Sequence, residues 1–241
     1  MASHPDDIIA WLVPTTHYSW ADKSTQLPEN ASRIISSPKS HPFLSSRLSN
    51  LTNHAPGRAI QLTFSQPPKR PGSFILGTDP RTCDIILPSV EGISKQHCAI
   101  SFDAQSRLVL SDFSERGTQV WYDWESNGDK TDYSWILSSG CSDEFPSMVQ
   151  RITVDIQGVR FQIVVNNHSD WNTFREQVDR FCEQPSWEDA FPWVDTSSLL
   201  LSSATTPFQH VVVKNTTSEP IGEVYLWNLA RPWEPMVKAS A

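Results

Sequence analysis

The chain has 241 residues, enough for one large domain or for a modest domain with appendages. Hydrophobic residues at 38% permit a core, while 18 prolines against 9 glycines point to stretches that do not fold. A formal net charge of −8 has the wrong sign for a general nucleic-acid binder, which needs a phosphate-neutralising surface, yet it leaves room for a small basic pocket.

Cysteines stand at 83, 98, 141 and 182. None forms a C-x-x-C pair, so they read as reduced thiols rather than a zinc knuckle or redox motif. No signal peptide and no membrane-crossing apolar run is expected. The expected location is intracellular, nuclear or cytoplasmic, with no metal, cofactor, membrane or nucleic acid involved.

Residues 1–56 are expected to be mostly disordered. Ile8, Ile9, Trp11, Leu12 and Val13, closed by Pro14, have the form of a docking strand or a single helical turn. Beyond them the composition buries too little apolar surface to offset chain entropy. Thr25-Gln26 and Ser37-Pro38 match kinase-target patterns, which chance supplies often. His4, His17, His41 and His54 read as spacers rather than ligands.

From Gly57 to His168 the pattern has period two, the mark of half-buried strands. Ile60, Leu62 and Phe64 alternate with polar partners, as do Cys98, Ile100 and Phe102. Leu108 and Leu110, Val120 and Tyr122, and Ile152, Val154 and Ile156 repeat the pattern. Asn127-Gly128 predicts a hairpin between 119–124 and 133–137, and Gln157-Gly158 a tight turn before Val159. Many short strands with little helix make this an all-β protein, a β-sandwich or barrel. Trp171, Phe174, Val178 and Phe181 then fall at helical spacing, with Ser169 or Asp170 as N-cap and Pro185 as stop, so 169–207 is a helix and linker. The stretch 208–241 returns to β-like runs.

Three short motifs sit inside the strand-rich frame. They are Gly77-Thr78-Asp79-Pro80-Arg81, then Ser94-Lys95-Gln96-His97, then Asp112-Phe113-Ser114-Glu115-Arg116-Gly117-Thr118. Their order and spacing resemble the forkhead-associated (FHA) domain, whose signature is a glycine–arginine pair, a serine three residues before a histidine, and a D-x-S-x-N-G-T turn. The resemblance covers roughly 110 residues and implies an FHA-like β-sandwich over 57–168 that binds phosphothreonine peptides. It implies that Ser94 donates to the phosphate with Lys95 beside it, and that Glu115 and Arg116 face the peptide. Arg116 takes the place of the family's asparagine. Gly77, His97, Asp112, Ser114, Gly117 and Thr118 would shape the loops. The family's phosphate-gripping arginine falls at Thr78, which has no charge to offer; Arg81, Lys95 or Arg116 would have to supply it.

The tail holds Ile221-Gly222-Glu223-Val224-Tyr225-Leu226 and Met236-Val237-Lys238. It resembles the opening strands of a protein kinase small lobe, G-x-G-x-x-G-x-V followed by V-A-I-K. Gly222, Val224 and Lys238 carry that resemblance, and a simple β-hairpin explains the same residues. No catalytic-loop aspartate and no D-F-G follow, so no phosphoryl transfer is expected. The whole resembles the N-terminal regulatory part of fungal FHA-containing serine/threonine kinases. The expected function is a phosphothreonine-reading adaptor. The alternatives are a phosphate-independent scaffold and a kinase fragment whose catalytic part is missing.

Overall fold

Apolar side chains at alternate positions of two groups of strands meet in one interior. The computed structural model describes residues 5–38, 44, 48, 57–140 and 144–183. The chain divides into two units, Met1–Pro192 and Trp193–Ala241, and the described residues all belong to the first. In chain order they form β1 (Ile8–Pro14), α1 (Trp20–Ser24), β2 (Ile34–Ser36), β3 (Arg58–Thr63), β4 (Ser73–Gly77), β5 (Ile85–Ile86) and β6 (Cys98–Phe102). Then come β7 (Leu108–Asp112), β8 (Gln119–Tyr122), β9 (Glu125–Ser126), β10 (Ser134–Ile136), β11 (Ile152–Ile156), β12 (Val159–Val165) and α2 (Trp171–Glu183).

Among the described residues one sheet runs β2-β3-β1-β12-β11-β8-β9 and the other β10-β7-β6-β4-β5. All pairings are antiparallel except β4 with β5. The first sheet sends Leu12, Ile60, Leu62, Val154 and Phe161 into the core; the second sends Phe74, Leu76, Ile100, Leu110 and Trp135. The fold is an all-β sandwich, one of the two architectures that the alternation predicts and the one that the FHA resemblance implies.

Within the segment 1–56 expected to be mostly disordered, residues 5–38 form strands, a helix and turns. Strand β1 lies inside the first sheet, with Leu12 opposite Ile60 of β3 on one side and Ile163 of β12 on the other. All seven of its residues are buried. A strand paired on both edges and covered on both faces is apolar throughout, so it shows no alternation. Ile9, Ala10 and Leu12 belong to the main core, whereas Ile8, Trp11 and Val13 pack with Ala59, Val164, Leu44 and Leu48 in a second cluster. Residues 8–13 thus take the strand form, one of the two expected of them, while 15–38, part of the linker expected over 14–56, carry α1 and β2.

Polar side chains that bond to backbone hold residues 15–38 in place. Asn30 accepts from the Ile86 N–H at 2.8 Å and donates to the Ile86 and Ser24 carbonyls, both at 2.8 Å. Its amide thus substitutes for a strand neighbour beside β5 at the sheet edge. Arg33 donates to the Gln66 and Pro67 carbonyls and lies over the Phe74 ring. Composition counts such residues as solvent-facing, whereas here they satisfy buried backbone. Thr25 is 2% exposed and donates its hydroxyl to the Asp22 carbonyl, which closes it to a kinase.

Asn127-Gly128 does not make the expected hairpin. β8 pairs with β9, while β10 pairs with β7 in the other sheet, so this segment leads from one sheet to the other. Gln157-Gly158 is the tight turn expected, with φ of 49° and 89° and Ile156 opposite Val159. Helix α2 begins where Asp170 accepts from the Asn172 and Thr173 N–H groups and the Thr173 hydroxyl, the capping arrangement of a helix N-terminus. It buries Phe174, Val178 and Phe181. Both phenylalanines pack against Phe64 and Phe102, and Phe181 also against Phe74.

Cys83, Cys98 and Cys182 are free thiols. No helix among the described residues is long and apolar enough to cross a membrane. Gly222, Val224, Lys238, Pro185, Cys141, His4, His41 and His54 lie outside the described residues, as does the whole of 208–241.

Candidate functional site

The segments 78–84, 88–97 and 113–118, with the Gln157-Gly158 turn, gather at one end of the sandwich. Backbone bonds join the first two: the Thr78 N–H donates to the Ser94 carbonyl at 3.3 Å and the Asp79 N–H to the Lys95 carbonyl at 3.2 Å. The Cys83 thiol also donates to the Lys95 carbonyl, at 2.9 Å. Lys69 reaches under the first segment to the Pro80 and Cys83 carbonyls. Asp79 accepts from the Arg81 N–H and the Thr82 hydroxyl, and the first of these chiefly holds its carboxyl below the usual range.

His97 joins the second segment to the third. Its Nδ1 accepts from the Ser94 N–H at 3.1 Å, which places the proton on Nε2, and Nε2 donates to the Gly117 carbonyl at 3.2 Å. The imidazole is fully buried, and burial pushes its pKa down against the opposing pull of the Gly117 carbonyl and Asp112. A neutral, fixed tautomer is the result.

Asp112 organises the third segment. One carboxylate oxygen accepts from the Ser114 hydroxyl at 2.8 Å and the Thr118 hydroxyl at 2.7 Å; the other accepts from the Ser114 and Asp132 N–H groups. The Ser114 hydroxyl in turn accepts from the Gly117 N–H at 2.8 Å. Gly117 has φ +83°, and a Cβ on it would stand 3.0 Å from the Lys130 backbone, so only glycine fits. Asp112, Ser114, Gly117 and Thr118 are all buried.

On this scaffold the expected contact residues face outward. Ser94 is half-buried, and among the described residues no group pairs with its hydroxyl. Lys95, Glu115 and Arg116 are exposed on the two segments that His97 joins. Arg81 lies on the first segment, its side chain 92% exposed and its Nε 3.8 Å from Asp79. Thr78 is half-buried and turns its hydroxyl toward the Ser94 carbonyl, 3.5 Å away. Such an arrangement offers one hydroxyl and three exposed cations to an anion.

Gln157 belongs to the site as well, although no motif marks it in the sequence. Its side-chain amide donates to the Gly117 carbonyl at 2.9 Å and the Arg116 carbonyl at 3.2 Å. It also lies against Gly92, where a Cβ would stand 3.1 Å from its Oε1. Gln157 therefore props the Arg116 backbone from the turn between β11 and β12. Only its place in a turn that the fold carries to this end reveals that role.

Residues 74–142 match the family model of the FHA domain. No curated protein matches the chain. Among solved structures, the FHA domain of FhaA in complex with the intracellular domain of Rv3910 is 27% identical over 45% of this chain and 88% of that chain, with TM-score 0.27. The FHA domain of the CT664 protein from Chlamydia trachomatis is 22% identical over 49% and 93%, with TM-score 0.30. The N-terminal FHA domain of S. cerevisiae Rad53p, solved with a phosphothreonine peptide, is 20% identical over 60% and 96%, with TM-score 0.31.

Proposed function

We propose that this chain, which carries an FHA domain over residues 74–142, serves as a phosphothreonine-reading adaptor or regulatory module in intracellular signalling. The observation that carries the reading is Ser94. Its hydroxyl is half-buried and unpaired among the described residues, while its backbone is fixed through His97 and Thr78. A phosphothreonine brings nearly two negative charges and three acceptor oxygens, so its binder must present fixed donors from several loops. Ser94 supplies the fixed donor. Lys95 and Arg116 supply charge from the two segments that His97 joins, and Arg81 from the first segment. Glu115 and Arg116 take the peptide main chain, and Thr78 contributes shape rather than charge.

An FHA domain is a binding module and not a catalytic one. Thr78 favours one second reading, a scaffold that binds its partner without phosphate, because its hydroxyl is turned toward a carbonyl of its own chain. Titration of the full chain with a phosphothreonine peptide library, with and without phosphate, separates the two. Phosphate-dependent binding lost in Ser94→Ala and weakened in Arg116→Ala supports the reader. Equal binding of phosphorylated and unphosphorylated peptides supports the scaffold, and no binding by any peptide sinks both.

A further inference from the structure

The turn after β1 carries a cluster of aromatic rings that the core does not use. Tyr18 is 83% exposed and Trp20 43% exposed. The His17 and Tyr18 rings stack at 4.1 Å and 7°, and Lys23 lies over the Trp20 ring at 3.9 Å. These rings stand on a fixed backbone. Asp22, itself 3% exposed, accepts from His17 Nδ1 and from the Tyr18 N–H, both at 2.9 Å. Ser19 donates its hydroxyl to the Thr16 carbonyl at 2.7 Å and accepts from the Asp22 N–H. Tyr18 is held at φ 59°, a conformation that a tyrosine leaves unless its surroundings fix it.

The topology decides where this cluster stands. β1 runs antiparallel to β12, with Pro14 opposite Phe161, and the Thr15 N–H donates to the Arg160 carbonyl at 3.1 Å. Arg160 is two residues beyond the Gln157-Gly158 turn, and Gln157 holds the Arg116 and Gly117 carbonyls. Helix α1 packs against β12 as well. The rings therefore share the end of the sandwich that carries Ser94, Lys95 and Arg116. Three residues from Tyr18 to Thr15, three from Arg160 to Gln157 and the hydrogen bonds that link them put the rings on the order of 20 Å from Arg116, the reach of roughly six residues of extended peptide.

We infer that His17, Tyr18 and Trp20 form a second contact for the same phosphorylated partner. They take a large apolar or aromatic side chain roughly four to seven residues from its phosphothreonine. The inference rests on the phosphothreonine reading, since continuity with that site identifies the occupant. Rigid, exposed aromatic rings lose little conformational entropy on binding, and such rings dominate the energetics of docking surfaces. The nearby phosphate site lends the second contact its effective concentration, so the rings need little affinity of their own.

The test uses the full chain and an oriented library of peptides with one fixed phosphothreonine and seven varied positions on each side. The wild type selects aromatic or large aliphatic residues at four to seven positions from the phosphothreonine. Tyr18→Ser/Trp20→Ser loses that selection, and its affinity for the best selected peptide falls roughly 10-fold while phosphate dependence remains. Thermal melting of the variant controls for folding. Addition of the best peptide to the wild type also shifts the Trp20 indole N–H resonance, assigned with Trp20→Phe. Unchanged selection in the double variant, or no Trp20 shift, overturns the second contact and leaves the phosphate reading standing. Loss of phosphate dependence in the wild type, or binding that survives Ser94→Ala, overturns the phosphate reading itself.

Discussion

Gly77 passes so close to Lys95 that a Cβ on it would lie 2.7 Å from the Lys95 carbonyl carbon and 2.9 Å from the Cys83 sulfur. The carbonyl oxygen of Lys95 accepts from both the Asp79 N–H and the Cys83 thiol, so it has no room to retreat. This close approach ties the strand that ends at Gly77 to the segment that presents Ser94. Gly77→Ala should cost about 1–3 kcal/mol as an overpacked contact and should weaken phosphopeptide binding by displacing Ser94. Urea unfolding and a peptide titration measure the two effects.

Thr78→Arg would place a guanidinium where the site has a hydroxyl. A hydrogen bond to a charged group is worth about 1.5–3 kcal/mol net, so affinity for a phosphothreonine peptide should rise roughly 10- to 150-fold. Binding of the unphosphorylated peptide should stay the same. A variant that binds the phosphopeptide no better would show that Thr78 does not face the phosphate.

Asp112→Ala leaves four donors without their acceptor, three of them on Ser114 and Thr118. Stranding buried donors costs about 1–3 kcal/mol each where water cannot replace the partner. The melting temperature should drop by about 10 °C or more. Amide exchange over 113–118 should rise ahead of the rest of the sandwich.

His97 and His168 both have pKa values pushed below the ordinary imidazole value, with burial the main cause in each. The unfolded chain takes up their protons near pH 6.5, where the folded chain refuses them. Their stabilisation is therefore fully present above about pH 6.5 and falls away as pH drops below it. Each histidine contributes a slope of at most about 1.4 kcal/mol per pH unit. Denaturant unfolding between about pH 7.5 and 5.5 should show the decline, and His97→Gln should remove one histidine's share of it. Asp84 acts at lower pH and with the opposite sign, because burial raises its carboxyl.

Removal of residues 1–37 should unfold the sandwich rather than trim it. β1 is hydrogen-bonded to β3 on one side and β12 on the other; its loss bares two strand edges and takes Ile9, Ala10 and Leu12 from the main core and Ile8, Trp11 and Val13 from the second cluster. A fragment of residues 57–168 should show poor amide dispersion and no cooperative melt. A folded fragment of that length would mean that β1 is dispensable.

The class of fold and the position of the recognition motifs are legible in the sequence alone. Period-two alternation at Ile60–Phe64, Cys98–Phe102 and Ile152–Ile156 marks strands because every second side chain enters the core between the sheets. The S-x-x-H and D-x-S patterns are equally visible, since Ser94, His97, Asp112 and Ser114 bond within a few residues of one another. Such local bonds leave a mark in spacing. The rest was settled by contacts between distant parts of the chain. β1 reads as a docking strand or a single helical turn until β3 and β12 flank it, because a strand buried on both faces has no alternation to detect. Asn30 reads as linker until it meets Ile86, 56 residues away, and Gln157 as turn filler until it meets Arg116, 41 residues back. Asn127-Gly128 carries a genuine hairpin signal, yet the sheets assign its flanking strands to different partners. Bonds that close over long separations are chosen by the packed fold, and no local pattern records them.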